Sequence, residues 1–481
     1  MIAEVGMKKG VEMRETNKEL IMTDDLPLLF EALNHEDDET REIAVRRIGY
    51  SRDPTGIPYL INHLLDPNPD VQSEINSALN RLGTPAEIEL LKTLNNETNP
   101  ELQAAAAEAL GKFGTRVTIG ALCEAIKSEH VPVRHAAINS LGRIGIVNPE
   151  IENALIECLD DRESVVVKTA LRAIGSLKCD RAVARLIEFI NSSDAGVRYN
   201  SIVALGNLQN MHAVMPLIQA MQNSDDYHFH VQVIDALTSI KDPLAIDPLI
   251  EMLSEEANNP MDRYHGGLRC KSSHIRHALT AIGEPAVKPL IEMIRKESTK
   301  MPKPDIQRRI CWDNQIFSDI RYVLADIGSP AVEALIDLIH DNNWVVRRWA
   351  CVTLGDISDR TAIPSLITTV TKDPSCDVRD EAGRALMNYP AGDVFDPLFG
   401  EIQKGVAPYL DEAKWVIECI TKDSIGNLRD SLFSDDAAKS SATESIFQNV
   451  IACSTAISKE ESAISGRRVM TRRMRRRGFP A

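Results

Sequence analysis

Apolar residues along this chain recur at helical spacing in short bursts, each broken by a polar turn. The stretch 363–393 displays the unit. Ile363-Pro-Ser-Leu-Ile-Thr-Thr-Val370 predicts one helix, Lys372–Asp377 a polar turn, Val378–Leu386 a second helix, and Asn388–Asp393 a closing break. Neither helix is long enough to stand alone in water, because the cost of nucleating a helix is recovered only over a longer run. Each needs a neighbour to cover its apolar stripe.

The unit repeats from Asp24 onward. A leucine in the middle of each first helix marks the copies: Leu29, Leu60, Leu91, Leu122, Leu155, Leu186, Leu217, Leu249, Leu290, Leu335, Leu366 and Leu398. They follow one another at intervals of 31 to 33 residues, apart from two of 41 and 45. A period this steady predicts a stack in which each unit packs only on its neighbours. The expected fold is all-α: an α-solenoid, or superhelix, of about twelve helical hairpins. The expected organisation is a flexible N-terminal lead-in at 1–23, the solenoid at 24–424, a helical cap at 425–458 over the last exposed repeat face, and a disordered Arg-rich tail at 459–481.

Local signals punctuate each copy. Pro216, Pro248 and Pro289 stand one residue before the marking leucine, in a first turn where a missing N–H costs nothing. Many second helices run into Leu-Gly or Ile-Gly, at Gly49, Gly83, Gly111, Gly142, Gly175, Gly206, Gly283, Gly328 and Gly355. These glycines are expected to take left-handed helix caps. Seven residues before that Leu or Ile stands a marker that is arginine in five copies: Arg41, Arg134, Arg198, Arg347 and Arg379. It is Gln103 and His230 in two others, with Gln72 ten residues before its Leu82, and apolar at Val167, Ile275 and Ile320. With acids such as Asp194 and Asp377 in the preceding turn, an Arg–Asp pair joining turn to helix is the structural expectation; a basic track for an extended ligand is the functional one.

Val133-Arg134-His-Ala-Ala-Ile-Asn-Ser-Leu-Gly-Arg-Ile-Gly145 resembles the HEAT-like repeat named after phycobilisome lyases. Val197-Arg198 to Leu205-Gly206 and Val346-Arg347 to Leu354-Gly355 are similar. The resemblance covers roughly 24–420. It implies an α-solenoid and, functionally, a protein-binding scaffold, an assembly factor or, in one branch, a lyase attaching bilins to phycobiliprotein cysteines.

Two neighbouring copies are enlarged, at 255–271 and 298–312, both between their first and second helices. Equivalent turns of stacked units lie side by side, so the two insertions are expected to meet on one rim. The first carries Asp262, Arg263, Tyr264, His265 and Cys270, with His274 and His277 following; the second carries Trp312 and Asp313. A zinc reading would draw on His265, Cys270, His274 and His277, but the spacing matches no paired-ligand zinc pattern, so no metal is assigned. Trp344, Arg348 and Trp349 join the candidate set, since Trp and Arg are enriched at binding hot spots.

Charge narrows the partners. The net charge is −16, so the body repels nucleic acid and anionic lipid. The tail reverses this: Arg467–Arg477 holds seven arginines in eleven residues, which makes it the candidate for RNA, a membrane surface or the acidic body itself. No run reaches membrane-span length and Met1–Leu20 has no apolar core, so a soluble, cytoplasmic protein is expected. The nine cysteines form no C-x-x-C pair and read as small core residues in a reducing compartment.

The leading functional expectation is a non-enzymatic scaffold or adaptor without cofactor, holding a protein partner along a concave groove and the insertion rim. No hydrolase elbow, P-loop, H-E-x-x-H or dinucleotide fingerprint occurs in the sequence. The alternative that follows from the resemblance is a bilin lyase or isomerase, with Tyr264, His265, Cys270, His274 and Trp312 around the tetrapyrrole and Asp262 or Asp313 toward its pyrrole N–H groups. A third reading is RNA or membrane association through the tail.

Overall fold

The computed structural model describes residues 25–96, 98–258, 271–300 and 315–404, with 413, 415 and 416. The expected lead-in, cap and tail, and the centres of both insertions, lie outside the described residues. Among the described residues the fold is all-helical, an α-solenoid. The chain divides into two compact units: Met1–Met252 with Asn259–Ile282, and Leu253–Asn258 with Gly283–Ala481.

In the first unit the order is α1 (Leu26–Ala32), α2 (Asp38–Ser51), α3 (Ile57–Asn62), α4 (Pro69–Leu82), α5 (Thr84–Asn96), α6 (Pro100–Leu110), α7 (Arg116–Ala125) and α8 (Val131–Ile144). It continues with α9 (Pro149–Glu157), α10 (Ser164–Leu177), α11 (Val183–Glu188), α12 (Ala195–Leu208), α13 (Val214–Gln222), α14 (Tyr227–Ile240), α15 (Ile246–Asn258) and α16 (Lys271–Ile282). The C-terminal part of α15 belongs to the second unit. That unit contains α17 (Val287–Ser298), α18 (Gln315–Ile327), α19 (Val332–Leu338), α20 (Trp344–Ile357), α21 (Ile363–Lys372), α22 (Cys376–Leu386) and α23 (Ala391–Lys404). Odd-numbered helices are first helices and even-numbered ones second helices, so eleven hairpins and the first helix of a twelfth are described.

The marking leucines are core residues: Leu60, Leu122, Leu155, Leu186, Leu217, Leu249, Leu290, Leu335, Leu366 and Leu398 are all fully buried. The third copy departs by one residue. Leu90 takes the buried position and Leu91 is half-buried, because α5 follows α4 after Gly83 alone.

The glycines divide into two classes. Gly83, Gly283 and Gly328 have φ of 68°, 82° and 75° with ψ between −141° and −135°, a region closed to any residue with a Cβ. Gly49, Gly142, Gly175, Gly206 and Gly355 are not caps; they sit inside second helices. Gly111 ends its helix in the ordinary right-handed region. Most of the helical glycines are there for contact. A Cβ on Gly175 would fall 2.9 Å from Ala204 Cα, on Gly206 3.0 Å from Ala236 Cα, and on Gly355 2.8 Å from Ala385 Cα. Each glycine thus admits the backbone of the next second helix. The left-handed cap comes three residues later, at Arg52, Gly145, Lys178, Gln209 and Ser358, and likewise at Lys241. A non-glycine residue there costs roughly 1–2 kcal/mol, which the cap hydrogen bonds of Lys178 to Ile174 O and Ser358 to Leu354 O help to offset.

The marker arginines make a different pair from the one expected. Each donates from Nη1 to the carbonyl six residues back, in its own hairpin's turn: Arg41 to His35, Arg134 to Ser128, Arg198 to Ser192, Arg347 to Asp341 and Arg379 to Asp373. Gln72 and His230 reach the same carbonyl position, at Asp66 and Ser224, which explains why these three residue types alternate there. The carboxylate partner belongs to the next hairpin. Arg41 binds Asp66 with two hydrogen bonds (2.8 and 2.9 Å), and Arg134 binds Asp161 likewise (2.7 and 3.0 Å). Each aspartate is aimed by its own turn, since it also accepts the backbone N–H two residues on, from Asn68 or Glu163. Asp194, expected as such a partner, instead caps α12 by accepting from Gly196 N and Val197 N. The Ser164 hydroxyl, Val197 N–H and Lys168 hold its carboxyl well below the usual range.

Candidate functional site

Five residues after the marker, the second helices of the first unit turn side chains outward in one register. Arg46, Glu108, Arg172, Val203 and Asp235 are exposed, and Ser77 and Asn139 half-buried. Successive second helices pack against one another, so these positions form a row across the stack. Near its start the row is crossed by ion pairs: Glu74 receives Arg81 at 2.7 Å and Arg46 at 3.8 Å. Farther along, Tyr199 and Val203 stand exposed one turn apart on α12.

Within this face lies a groove of about 330 Å³, crossing α4, α6 and α8. Its floor is made of small residues, Ala104, Ala105 and Ala136, with Leu64 and Leu65 at one end. The register position held here by Ala104 carries Lys168 in α10 and Tyr199 in α12. The hollow therefore exists because the side chains that would fill it are absent. Its polar lining includes Gln72, Asn76, Glu101, Glu108 and His135. Gln72 is committed to the Asp66 carbonyl, at 2.6 Å. Asn76 Oδ1 is buried without a hydrogen-bond partner. Leaving a buried acceptor unpaired costs roughly 1–3 kcal/mol.

A larger cavity, about 430 Å³, lies in the second unit between α21 and α23, beside Ile363, Pro364, Ile367 and Pro397. Its charged groups are already engaged: Arg360 Nε meets Asp393 Oδ2 at 2.9 Å, and Glu401 has a partner of its own.

The candidate residues expected from sequence fare unequally. Asp262, Arg263, Tyr264, His265, Cys270, Trp312 and Asp313 lie outside the described residues, as does the expected meeting of the two insertions. In the first unit, His274 Nδ1 meets Asp235 Oδ1 at 2.9 Å, and His277 is exposed. In the second unit, Arg348 is tied to Glu381 (2.6 Å) and Trp344 is half-buried. Trp349 moves from the expected contact surface to the core: it is 8% exposed and stacks on Phe317 with ring centroids 5.2 Å apart, because Val345, Val346 and Ala350 pull that face of α20 inward. Apart from the marker Gln72, the groove residues were not singled out from sequence, although four consecutive alanines, Ala104–Ala107, mark the spot.

Of the residues set out for a bilin, His274 alone is described, and Asp235 already holds its Nδ1. Among the described residues no group of three or more His, Cys, Asp or Glu side chains is placed to hold a metal ion, and no helix is long and apolar enough to cross a membrane. Burial pushes the Cys158 thiol up to about 12, and those of Cys123 and Cys179 up to about 11, which makes them poor nucleophiles.

A sequence profile of HEAT repeats matches residues 26–98, 89–175, 121–198, 151–227, 183–263 and 321–387. No curated protein matches the chain. Among solved structures, Kap121p is 15% identical with a TM-score of 0.48, over 92% of this chain and 54% of that one. The karyopherin Kap121p bound to the SUMO protease Ulp1p is 13% identical with a TM-score of 0.49, over 94% and 56%. A Kap95p structure with RanGDP is 13% identical with a TM-score of 0.49, over 89% and 63%. The chain thus spans little more than half the length of these structures.

Proposed function

This chain belongs to the HEAT-repeat family, and from that premise we propose that it is a non-enzymatic scaffold holding a protein partner on the exposed face of its second helices. The observation that carries this reading is the groove across α4, α6 and α8, a hollow floored by alanines and lined by the exposed Glu101 and Glu108. A stacked fold keeps its hairpins in fixed register, so side chains from three of them act as one rigid surface at little ordering cost. His277 in the first unit and Trp344 in the second extend the proposed contacts, together with the insertion residues Asp262, Arg263, Tyr264, His265, Cys270, Trp312 and Asp313.

Site-specific photo-crosslinking in the source cell tests the proposal. A photoreactive residue at Asn139 or Val203, on the second-helix face, is expected to capture protein. The same residue at Tyr59 or Met215, exposed on first helices, is expected not to. Capture from the first-helix positions alone, or from neither set, refutes the scaffold reading.

A further inference from the structure

We infer, building on the scaffold reading, that the α4–α6–α8 groove takes an extended, arginine-bearing segment of its protein partner. The groove is a cavity rather than a flat face, and at about 330 Å³ it sits at the small end of ligand pockets, suited to side chains more than to a helix. The charged groups left open around it, the Glu101 and Glu108 carboxylates, are hydrogen-bond acceptors. Asn76 Oδ1 is buried and unpaired. Glu101 and Glu108 are exposed, and their carboxylates have no ionic or hydrogen-bonding partner among the described residues.

Two neighbouring arginines make their contacts elsewhere. Arg143 donates to the Glu108 carbonyl at 2.9 Å and to Ser140 Oγ at 3.2 Å, and Arg81 donates to Glu74. A guest rich in N–H donors with an apolar stem satisfies this lining. Arginine is such a guest: five donors on a flat guanidinium reach carboxylates, while its methylenes lie on Ala104, Ala105 and Leu65.

The spacing adds a register. Glu101 and Glu108 lie two turns apart on one face of α6, roughly 10 Å along its axis. In an extended polyproline-type segment, residues three apart share a side and are separated by roughly 9 Å. Two arginines with two residues between them match the two carboxylates.

The probe is a labelled peptide, Gly-Arg-Pro-Pro-Arg-Gly, titrated by fluorescence anisotropy into the full chain at low salt. Glu101→Gln with Glu108→Gln is expected to weaken binding at least tenfold. Asp225→Asn with Glu251→Gln, an equal charge change at exposed positions on other hairpins, is expected to leave it within twofold. Ala105→Leu keeps every charge but fills the floor, and is expected to weaken binding at least tenfold with an unchanged circular-dichroism melt. Equal losses from both charge pairs, or full affinity in Ala105→Leu, overturn the inference while leaving the crosslinking result, and the scaffold reading, intact. A tenfold gain on removing residues 467–481 would identify the chain's own tail as the occupant and displace the partner segment.

Discussion

Arg347 holds Asp373 by two parallel hydrogen bonds, Nε to Oδ2 at 2.7 Å and Nη2 to Oδ1 at 2.9 Å, across the boundary between one hairpin and the next. The same guanidinium closes its own turn through the Asp341 carbonyl at 3.0 Å. One side chain therefore couples a turn to itself and to its neighbour, and both charged groups are largely buried. Replacing Arg347 with alanine strands the Asp373 carboxylate, at a cost of about 2–4 kcal/mol. Arg198 has no carboxylate at the equivalent turn position, which Ser224 occupies, so Arg198→Ala is expected to cost about 1 kcal/mol. Hydrogen exchange resolved by segment compares them: α20 and α22 should open more easily in the first variant than α12 and α14 in the second. Equal opening would remove the case for the aspartate as the main partner.

Gly206 tests the glycine contact. A Cβ there would fall 3.0 Å from Ala236 Cα and 3.3 Å from Ala236 Cβ, so even alanine forces α12 and α14 apart. Gly206→Ala is expected to destabilise by about 1–3 kcal/mol in urea unfolding, despite alanine's better helix propensity. A stabilised variant would show that the two helices part without cost.

Acid should loosen the first unit through its aspartates. Burial pulls the Asp66 carboxyl up, but the hydrogen bonds from Arg41 and from Asn68 N–H, with the arginine's charge, outweigh it and hold the group below its usual range. Asp161 is held down in the same way by Arg134 and Glu163 N–H against burial. A carboxylate depressed in the folded state contributes stability above the unfolded value, about 3.9, and loses it as pH falls through the folded value. Asp66→Asn with Asp161→Asn should therefore melt below the parent protein at pH 7, with the gap closing below about pH 4. A gap that stays constant down to pH 2 would contradict this linkage.

Among the cysteines described, Cys376 is exposed, while Cys123, Cys158, Cys179 and Cys351 are buried, and burial raises all four of those thiols. Iodoacetamide at pH 8 should modify Cys376 within minutes and the other four only in denaturant. Peptide mapping by mass spectrometry reads this directly, and early labelling of Cys158 would mean that α9 opens far more readily than its burial implies.

The repeat was legible because an apolar stripe at helical spacing is a local property, and copying it leaves a period that survives insertions. Leu60 and Leu366 announce a core position by themselves. The roles of Gly206 and Arg347 were half legible. Their recurrence marked them as structural, yet a cap glycine and a packing glycine look alike in a string of letters. An arginine's partner can likewise stand six residues before it or 26 residues after it. Ala104 and Ala105 passed unnoticed because a hollow is defined by what surrounds it, and Trp349 looked like a contact residue until Phe317 covered it.

The sequence alone determined that this chain is a row of helical hairpins, and their order and period, since helix period and turn chemistry act between residues a few positions apart. Only the tertiary structure decided which side chains bridge successive hairpins, which glycines bring helices together, and that α4, α6 and α8 enclose an acceptor-lined groove. Those features arise where separate copies meet, and the distances between copies follow from packing that no single copy encodes.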